Sequence, residues 1–237
     1  MKPTHAQLSA LARRDPVLGR ALRRVPAFPG FPVRGNVRQS SHYHSLTSAI
    51  VYQQLSGKAA ATIWGRLVAL TPGKGFPKPE EVRGLSDEAL RSCGLSAAKL
   101  RAIRDLCERI EAQSLPLARL SRMQDERVIE ELIAVRGIGR WSAQMFLMFR
   151  LGRLDVMAEG DLGLQEGARL LDGQAERPKP AELLARSEIW RPLRSVASWT
   201  LWRLIECERE EKAASALRQR PSASTQKTSA TSLRTKS

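Results

Sequence analysis

Hydrophobic positions recur at helical spacing along most of the chain, whereas alternation of the strand type over four or more residues is hard to find. This pattern predicts an all-α protein. Ser86 and Ser96 stand where helices should begin, and the Pro-Gly-Lys-Gly run at 72–75 should end one. The predicted helices cover residues 7–12, 43–54, 57–70, 87–93, 97–112, 125–135, 140–151, 161–171, 180–186 and 193–208.

Two segments depart from the helical pattern. Residues 14–40 are rich in proline and glycine, which predicts an irregular or extended segment. From Arg209 onward Ser, Thr, Lys, Arg and Gln dominate, so the chain cannot bury enough apolar surface to offset the entropy of ordering. We therefore expect one folded domain over residues 1–208 and a disordered basic tail over 209–237.

The charge of the chain points to a polyanionic partner. Its 237 residues carry a formal net charge of +15 and a pI near 10.8, a balance that ribosomal and general DNA-binding proteins share. No apolar stretch reaches the roughly 18–20 residues of a spanning helix, and no signal-peptide core is evident. We expect no membrane contact and a cytoplasmic location, on the nucleoid in a bacterium. The three cysteines lack a CxxC pair and predict no metal site.

A glycine-rich turn, Gly137-Ile138-Gly139, lies between two predicted helices and is flanked by Arg136 and Arg140. Backbone N–H groups next to glycine can approach an anion closely, and the N-terminus of the following helix adds its positive dipole end. Such a turn binds a phosphate without reading sequence. A Gly-x-Gly run is often only a tight turn, but the flanking helices and arginines favour a DNA-binding hairpin over residues 128–151.

With these residues the chain resembles the helix-hairpin-helix superfamily of base-excision DNA glycosylases, and in particular the DNA-3-methyladenine glycosylase II family of alkylation repair. The resemblance implies two helical lobes with an active-site cleft between them, in the compact version that has no N-terminal β-domain. The matching stretches are IVYQQLSGKAAATIWGRL (50–67), GLSAAKLRAIRDL (94–106), VRGIGRWSA (135–143), DVMAEGDLGL (155–164) and RPLRSVASWTLWR (191–203).

By this resemblance Asp161 is the catalytic aspartate, which would stabilise the positive charge that develops on the deoxyribose and orient or activate the attacking water. Asp161 also stands at the predicted start of a helix, where amide groups favour an anion, so the same sequence fits an ordinary helix cap. The resemblance gives Asp155 a loop-bracing role. Ala158-Glu159 departs from the family pattern, because it removes a stiffening proline and adds a charge near Asp161.

The tryptophans are candidates for contact with the flipped base. Trp141 occupies the position where related bifunctional enzymes carry a nucleophilic lysine, and an indole cannot form a Schiff base. The faces of Trp141 and Trp202 suit the positive charge of an alkylated purine, although either residue could instead belong to the core. For Trp199, packing is an equally good interpretation. Met145, one turn after Trp141, would widen the pocket.

The run Gln53-Gln54-Leu55-Ser56 joins two predicted helices, and the family uses this loop to fill the gap left by the flipped base. Gln54 is therefore a candidate wedge, with Leu55 as the alternative, and Ser56 and Lys58 could contact phosphate. A polar helix–helix junction is the simpler interpretation.

Together these features predict a monofunctional DNA glycosylase that hydrolyses alkylated purines, such as 3-methyladenine or 7-methylguanine, out of double-stranded DNA and leaves an abasic site. We expect a monomer without an organic cofactor, although an alkali-metal ion shared between hairpin carbonyls and a phosphate is compatible with the turn. The alternative is a non-catalytic DNA-damage-binding protein of the same fold, which Ala158-Glu159 keeps open. A bifunctional glycosylase/lyase is disfavoured by Trp141.

Overall fold

The computed structural model describes residues 1–32, 41–71 and 76–218, and within these ranges the chain forms α-helices and short 3₁₀ helices with no β-strand. The all-α prediction is confirmed. The α-helices are α1 His5–Arg14, α2 Pro16–Arg24, α3 His42–Tyr52, α4 Gly57–Ala69, α5 Pro79–Gly84, α6 Asp87–Ser92, α7 Ala97–Glu111, α8 Asp125–Ile133, α9 Arg140–Phe149, α10 Leu162–Asp172, α11 Pro180–Ser187 and α12 Arg194–Arg218. The 3₁₀ helices are Leu117–Arg122 and Glu188–Trp190.

Hydroxyl side chains start many of the helices. In each case the hydroxyl oxygen accepts a hydrogen bond from a backbone N–H of the first turn, which contributes about 1 kcal/mol per cap. This local rule explains why most helix starts could be predicted from the sequence. The capping residues are Thr4, Ser41, Ser56, Ser86 and Ser96.

Helix α2 contradicts the prediction of an irregular segment from residue 14. The Asp15 carboxylate accepts hydrogen bonds from the N–H groups of Val17 and Leu18, both at 3.0 Å, and Pro16 fits the first turn because its missing N–H needs no partner there. The prolines further along end this helix rather than prevent it. Residues 33–40 lie outside the described part of the chain.

The helices form the two expected lobes. Helices α1, α2 and α10–α12 pack together as a terminal lobe, and α3–α9 form a central lobe. Helices α10 and α12 come unusually close, since a Cβ at Gly167 would lie 2.7 Å from the backbone carbonyl oxygen of Leu201. This approach fixes where the side chains of α12 meet the start of α10.

Aromatic side chains join the two lobes. Phe31 packs edge-on against Phe149 of α9 with ring centroids 4.8 Å apart, and Phe28 lies 4.8 Å from Phe31. Trp199 and Trp202 of α12 join the cluster, the first against Phe31 at 6.3 Å and the second stacked on Phe149 at 5.9 Å. The segment after α2 therefore buries aromatic surface between the lobes and helps to hold them in register.

Helix α12 continues to Arg218, so the prediction of disorder from Arg209 is wrong for residues 209–218. Arg24 of α2 donates to Glu208 at 2.9 Å and to Glu211 at 2.6 Å, and these ion pairs attach the extended helix to the terminal lobe. The rest of the predicted tail, residues 219–237, lies outside the described part of the chain. No helix of the described residues is long and apolar enough to cross a membrane.

Candidate active site

Asp161 is the N-cap of α10, as its sequence context predicts, and its carboxylate meets three donors. Oδ1 accepts hydrogen bonds from the Leu164 N–H at 2.7 Å and from the Trp202 indole N–H at 3.1 Å. Oδ2 accepts one from the Trp141 indole N–H at 2.7 Å. The helix cap uses only one of the hydrogen bonds that Oδ1 accepts. The same side chain can therefore cap α10 and also be the candidate catalytic carboxylate.

The loop before Asp161 is braced by two buried glutamines that the sequence did not single out. The Gln144 side-chain amide donates to Met157 O and to the Glu159 carboxylate, both at 3.0 Å, and the Gln165 amide donates to Glu159 O at 3.0 Å. Glu159 also lies 3.6 Å from Arg140, and Ala158 is fully buried. The loop departs from the family pattern at Ala158-Glu159, and hydrogen bonds fix it where the family has a stiffening proline.

Gly163 lets Trp202 reach Asp161, a role that no local pattern around this glycine indicated. A Cβ at Gly163 would lie 2.9 Å from Asp161 Oδ1 and 3.2 Å from the Trp202 ring. The close approach of α10 and α12 at Gly167 brings Trp202 to this place, and Phe149 covers one face of the indole. Trp202 is therefore a half-buried support beside the carboxylate.

Trp141 reaches the same carboxylate from the other lobe. It lies in the first turn of α9, directly after the hairpin, and is 48% exposed. Both tryptophans predicted to present flat faces to a base thus also point their N–H edges at Asp161. Trp199, in contrast, packs against Phe28 and Phe31 and carries Arg203 over its ring, so it belongs to the aromatic core.

A cavity of about 950 Å³ opens beside Trp141. Its walls are α3, Trp64 of α4, the hairpin and α9, and Met145 lies among the lining residues as predicted. The cavity belongs to the central lobe, whereas the cleft was expected between both lobes. Asp161 and Trp202 do not line it, and Trp141 stands between the cavity and the carboxylate.

The far end of the cavity holds His44 and Arg150, with His42 behind them. Arg150 donates to His42 Nδ1 at 2.9 Å, and His44 packs against Trp64 with ring centroids 4.9 Å apart. Burial, and then the positive charge of Arg150, hold the pKa of both His42 and His44 below the usual value. Both effects favour the neutral form of the imidazoles.

The hairpin has the expected shape, but glycine occupies its two positions for different reasons. Gly137 has a φ of +79°, and a Cβ there would lie 3.1 Å from the Ala102 Cβ. Gly139 has an ordinary φ of −94° and open space where its Cβ would be. The fold therefore explains Gly137, whereas an approaching phosphate gives a reason for Gly139. Ile138, between them, is buried in the core.

The two hairpin arginines already have partners nearby. The backbone N–H of Arg136 donates to Asp105 Oδ2 at 2.7 Å, which leaves its exposed side chain to face solvent. The Arg140 guanidinium donates to both Glu126 oxygens at 2.7 and 3.1 Å. A phosphate would therefore compete with Glu126 for Arg140.

The predicted wedge loop follows α3 and is exposed. Gln54 has a φ of +55°, and Leu55 is 39% exposed. Below them the Lys99 ammonium donates to Val51 O at 2.7 Å and to Gln53 O at 2.9 Å, and the Gln53 amide donates to Gly137 O at 3.0 Å. The loop is thus tied to α7 and to the hairpin.

Of the two predicted phosphate contacts after this loop, Ser56 serves as the N-cap of α4, where its hydroxyl accepts from the Ala59 N–H at 3.4 Å. Lys58 is exposed in the first turn of the same helix. On the opposite side of the site, Asp155 accepts from Arg191 and Arg194, both at 2.8 Å, which confirms its predicted bracing role.

Known proteins are similar to this chain in sequence and in fold. DNA-3-methyladenine glycosylase 1 of Schizosaccharomyces pombe is 36% identical over 169 residues, which make up 71% of this chain and 74% of that protein. A solved structure of the S. pombe 3-methyladenine DNA glycosylase in complex with abasic DNA superposes with a TM-score of 0.71 at 33% identity, covering 83% of this chain and 95% of that one. A DNA-3-methyladenine glycosidase from Bacillus halodurans gives 0.73 at 38% identity, over 86% and 91%.

Residues 47–192, which include the wedge loop, the hairpin and Asp161, match the family model described as HhH-GPD superfamily base excision DNA repair protein. The hairpin, the aspartate cap of α10 and the two-lobed helical fold give that match a structural basis. The chain belongs to the HhH-GPD superfamily of base excision DNA repair proteins.

Proposed function

We propose that the protein is a monofunctional DNA glycosylase that flips alkylated purines out of double-stranded DNA and hydrolyses their N-glycosidic bond. The observation that carries this proposal is the Asp161 carboxylate, which is held by three donors, one of them the indole of Trp141, a residue that also lines the aromatic-walled cavity behind the hairpin. The relatives named 3-methyladenine glycosylases support the substrate class.

The proposal gives the Asp161 carboxylate the role of stabilising charge during N-glycosidic cleavage. Positive charge develops on the deoxyribose as the bond to the base breaks, and a fixed carboxylate at that point stabilises the transition state more than the ground state. The base would enter the cavity along Trp141 and Met145 while the sugar stays at the rim. Hydrolysis of this kind needs a water molecule and no organic cofactor.

The side chains around the cavity favour simple hydrolysis over strand cleavage. A lyase reaction requires a primary amine that forms a Schiff base with the sugar. No lysine lies among the described residues that line the cavity, and the Lys99 ammonium donates to two backbone carbonyls. The enzyme would leave an intact abasic site.

The DNA would lie across the face that carries the hairpin and the wedge loop. Large apolar side chains are exposed on this face, where soluble proteins rarely leave them without a partner. Lys58, Arg136 and Arg140 add positive charge beside the open space at Gly139. We propose that Gln54 or Leu55 fills the gap left by the flipped base. The exposed apolar residues are Tyr52, Leu55, Trp141 and Leu162.

The decisive experiment measures the release of 3-methyladenine and 7-methylguanine from methylated duplex DNA by the wild type and by Asp161→Asn. Asparagine also caps helices, so the variant should fold while it loses the charge. We expect release by the wild type and a loss of at least about 100-fold in the variant. Release that survives the substitution contradicts the role of Asp161, and strand cleavage without added base contradicts the monofunctional assignment.

A wild-type protein that releases no base but binds an abasic duplex tightly would instead support a non-catalytic damage-binding protein. The sequence argument for that alternative was the departure at Ala158-Glu159. In the structure Ala158 is buried and Glu159 is bound by Gln144 and Arg140, so neither residue blocks Asp161.

A further inference from the structure

The hydrogen bonds around Asp161 divide its two oxygens unequally. A carboxylate oxygen has about two lone-pair sites, so the whole group accepts about four hydrogen bonds. Oδ1 fills both of its sites, with the Leu164 N–H and the Trp202 indole. Oδ2 fills one, with the Trp141 indole, and keeps one lone pair open.

We propose that the indole N–H groups of Trp141 and Trp202 are positioning donors, which rotate the Asp161 carboxylate so that the free lone pair of Oδ2 faces the sugar and its attacking water. This inference rests on the proposed glycosylase function. It gives the two tryptophans a role that acts through Asp161 and differs from stacking on the base.

Two observations separate this role from ordinary packing. Residue 163 is a glycine, and a Cβ at this position would crowd both the Trp202 indole and Asp161 Oδ1. Trp141 is 48% exposed, yet its N–H lies 2.7 Å from Oδ2 and comes from the opposite lobe. Trp141 lies outside the buried core, whereas the third tryptophan, Trp199, is fixed by its aromatic neighbours.

The proposal predicts an order of effects. Without the Trp141 N–H, Oδ2, the oxygen that would face the sugar, loses its only described donor. Without the Trp202 N–H, Oδ1 still has the Leu164 N–H. Trp141→Phe should therefore cost more than Trp202→Phe, although both keep an aromatic ring.

The test is single-turnover excision of 7-methylguanine from a duplex, with the enzyme in excess and varied until the rate saturates. We expect the saturated rate to fall about 10- to 100-fold in Trp141→Phe and about 3- to 10-fold in Trp202→Phe, since a hydrogen bond to a charged group is lost. Trp199→Phe is the matched control on the same helix, and its rate should stay within about twofold of the wild type.

A binding measurement distinguishes the positioning role of Trp141 from stacking on the base. It uses the Asp161→Asn background, in which the protein should bind the DNA without excising the base. We expect Trp141→Phe to change the dissociation constant for the 7-methylguanine duplex by less than about threefold in that background. Phenylalanine keeps a ring for stacking, so a pure stacking role would leave the saturated rate of Trp141→Phe nearly unchanged, and removal of the ring in Trp141→Ala would weaken binding by about tenfold or more.

Three outcomes overturn the proposal: a saturated rate of Trp141→Phe equal to or above that of the wild type, a loss confined to binding, or an equal loss in Trp199→Phe. Failure of the glycosylase function itself looks different, because the wild type would then release no base. Unchanged affinity of the Trp variants for an abasic duplex shows that they are folded.

Discussion

The two sides of the site are built in opposite ways. On the acid side, which runs from Met157 to Leu164, three donors hold the Asp161 carboxylate, and two buried glutamines fix the loop. On the wedge side, which runs from Tyr52 to Ser56, the side chains of Gln54 and Leu55 face solvent. The loop below them is held by Lys99, which donates to Gln53 O, and by the Gln53 side-chain amide, which donates to Gly137 O of the hairpin.

This difference follows from what each side would do. Stabilising a developing charge requires groups that are already oriented before the reaction begins, because reorientation during the reaction costs free energy. A wedge has to leave solvent and enter the DNA, so its side chains have no partners within the protein. The comparison makes definite predictions about where a small change has a large effect.

The largest effect should come from Gly163→Ala on the acid side. The added methyl group would lie 2.9 Å from Asp161 Oδ1 and 3.2 Å from the Trp202 ring, so the carboxylate or the indole must move. A displacement near 1 Å at a reacting group lowers the rate by about 100-fold. The measurement is single-turnover base excision.

The matched control is Gly160→Ala, in the same loop. No atom lies within 4 Å of the position that its Cβ would take, so excision should stay close to the wild-type rate. Equal losses in the two variants would mean that any substitution in this loop lowers the excision rate. The close contact of residue 163 with Asp161 and Trp202 would then not explain the sensitivity of the acid side.

The hairpin connects the two sides. Substitutions at its two glycines, Gly137 and Gly139, should separate an effect on stability from an effect on DNA binding. Gly137→Ala should lower the free energy of unfolding by about 1–3 kcal/mol, because alanine is strained at a φ of +79°. Gly139→Ala should lower it by less than about 1 kcal/mol, since its backbone suits any residue. Urea unfolding measures both.

In DNA binding the order of the two variants reverses. Gly139→Ala places a methyl group in the open space where a phosphate would approach, so its affinity for an undamaged duplex should fall by about tenfold. If Gly139→Ala instead binds like the wild type, the phosphate does not approach this glycine.

On the wedge side, Gln54→Gly should reduce excision by about tenfold while the free energy of unfolding stays within about 0.5 kcal/mol of the wild type. Glycine adopts a φ of +55° readily, so only the inserted side chain is lost. A lesion in a mismatched pair is easier to flip, so the loss should shrink on that substrate. A loss of equal size on both duplexes argues against insertion at Gln54.

The smallest effect concerns Arg140. Glu126→Gln removes a carboxylate that competes with phosphate for this arginine, and duplex binding at low salt should tighten by about two- to threefold, the range of an exposed ion pair. Glu130→Gln, which releases Arg127 on the same helix, is the control and should leave binding unchanged. Tighter binding in both variants would indicate a general charge effect.

Whether a feature could be predicted from the sequence depends largely on whether it is determined by neighbouring residues. The hairpin, the Asp161 cap and the hydroxyl caps of the helices follow from neighbouring residues, and all of them could be predicted. The misses at α2 and at the end of α12 have different origins. Asp15-Pro16 is a local helix start that the prolines further along obscured, whereas residues 209–218 stay helical through ion pairs with the distant Arg24.

By itself the sequence determined the helical fold, the hairpin with its glycines and the carboxylate at the start of α10, because each depends on backbone preferences and side chains a few residues apart. Only the tertiary structure decided what meets that carboxylate. Trp141 and Trp202 stand 20 and 41 residues from Asp161. Trp202 reaches it because Gly163 and Gly167 let α12 pack closely on α10, and Trp141 reaches it from α9 in the other lobe. Contacts between distant helices depend on how the whole core packs, and no local pattern in the chain encodes them.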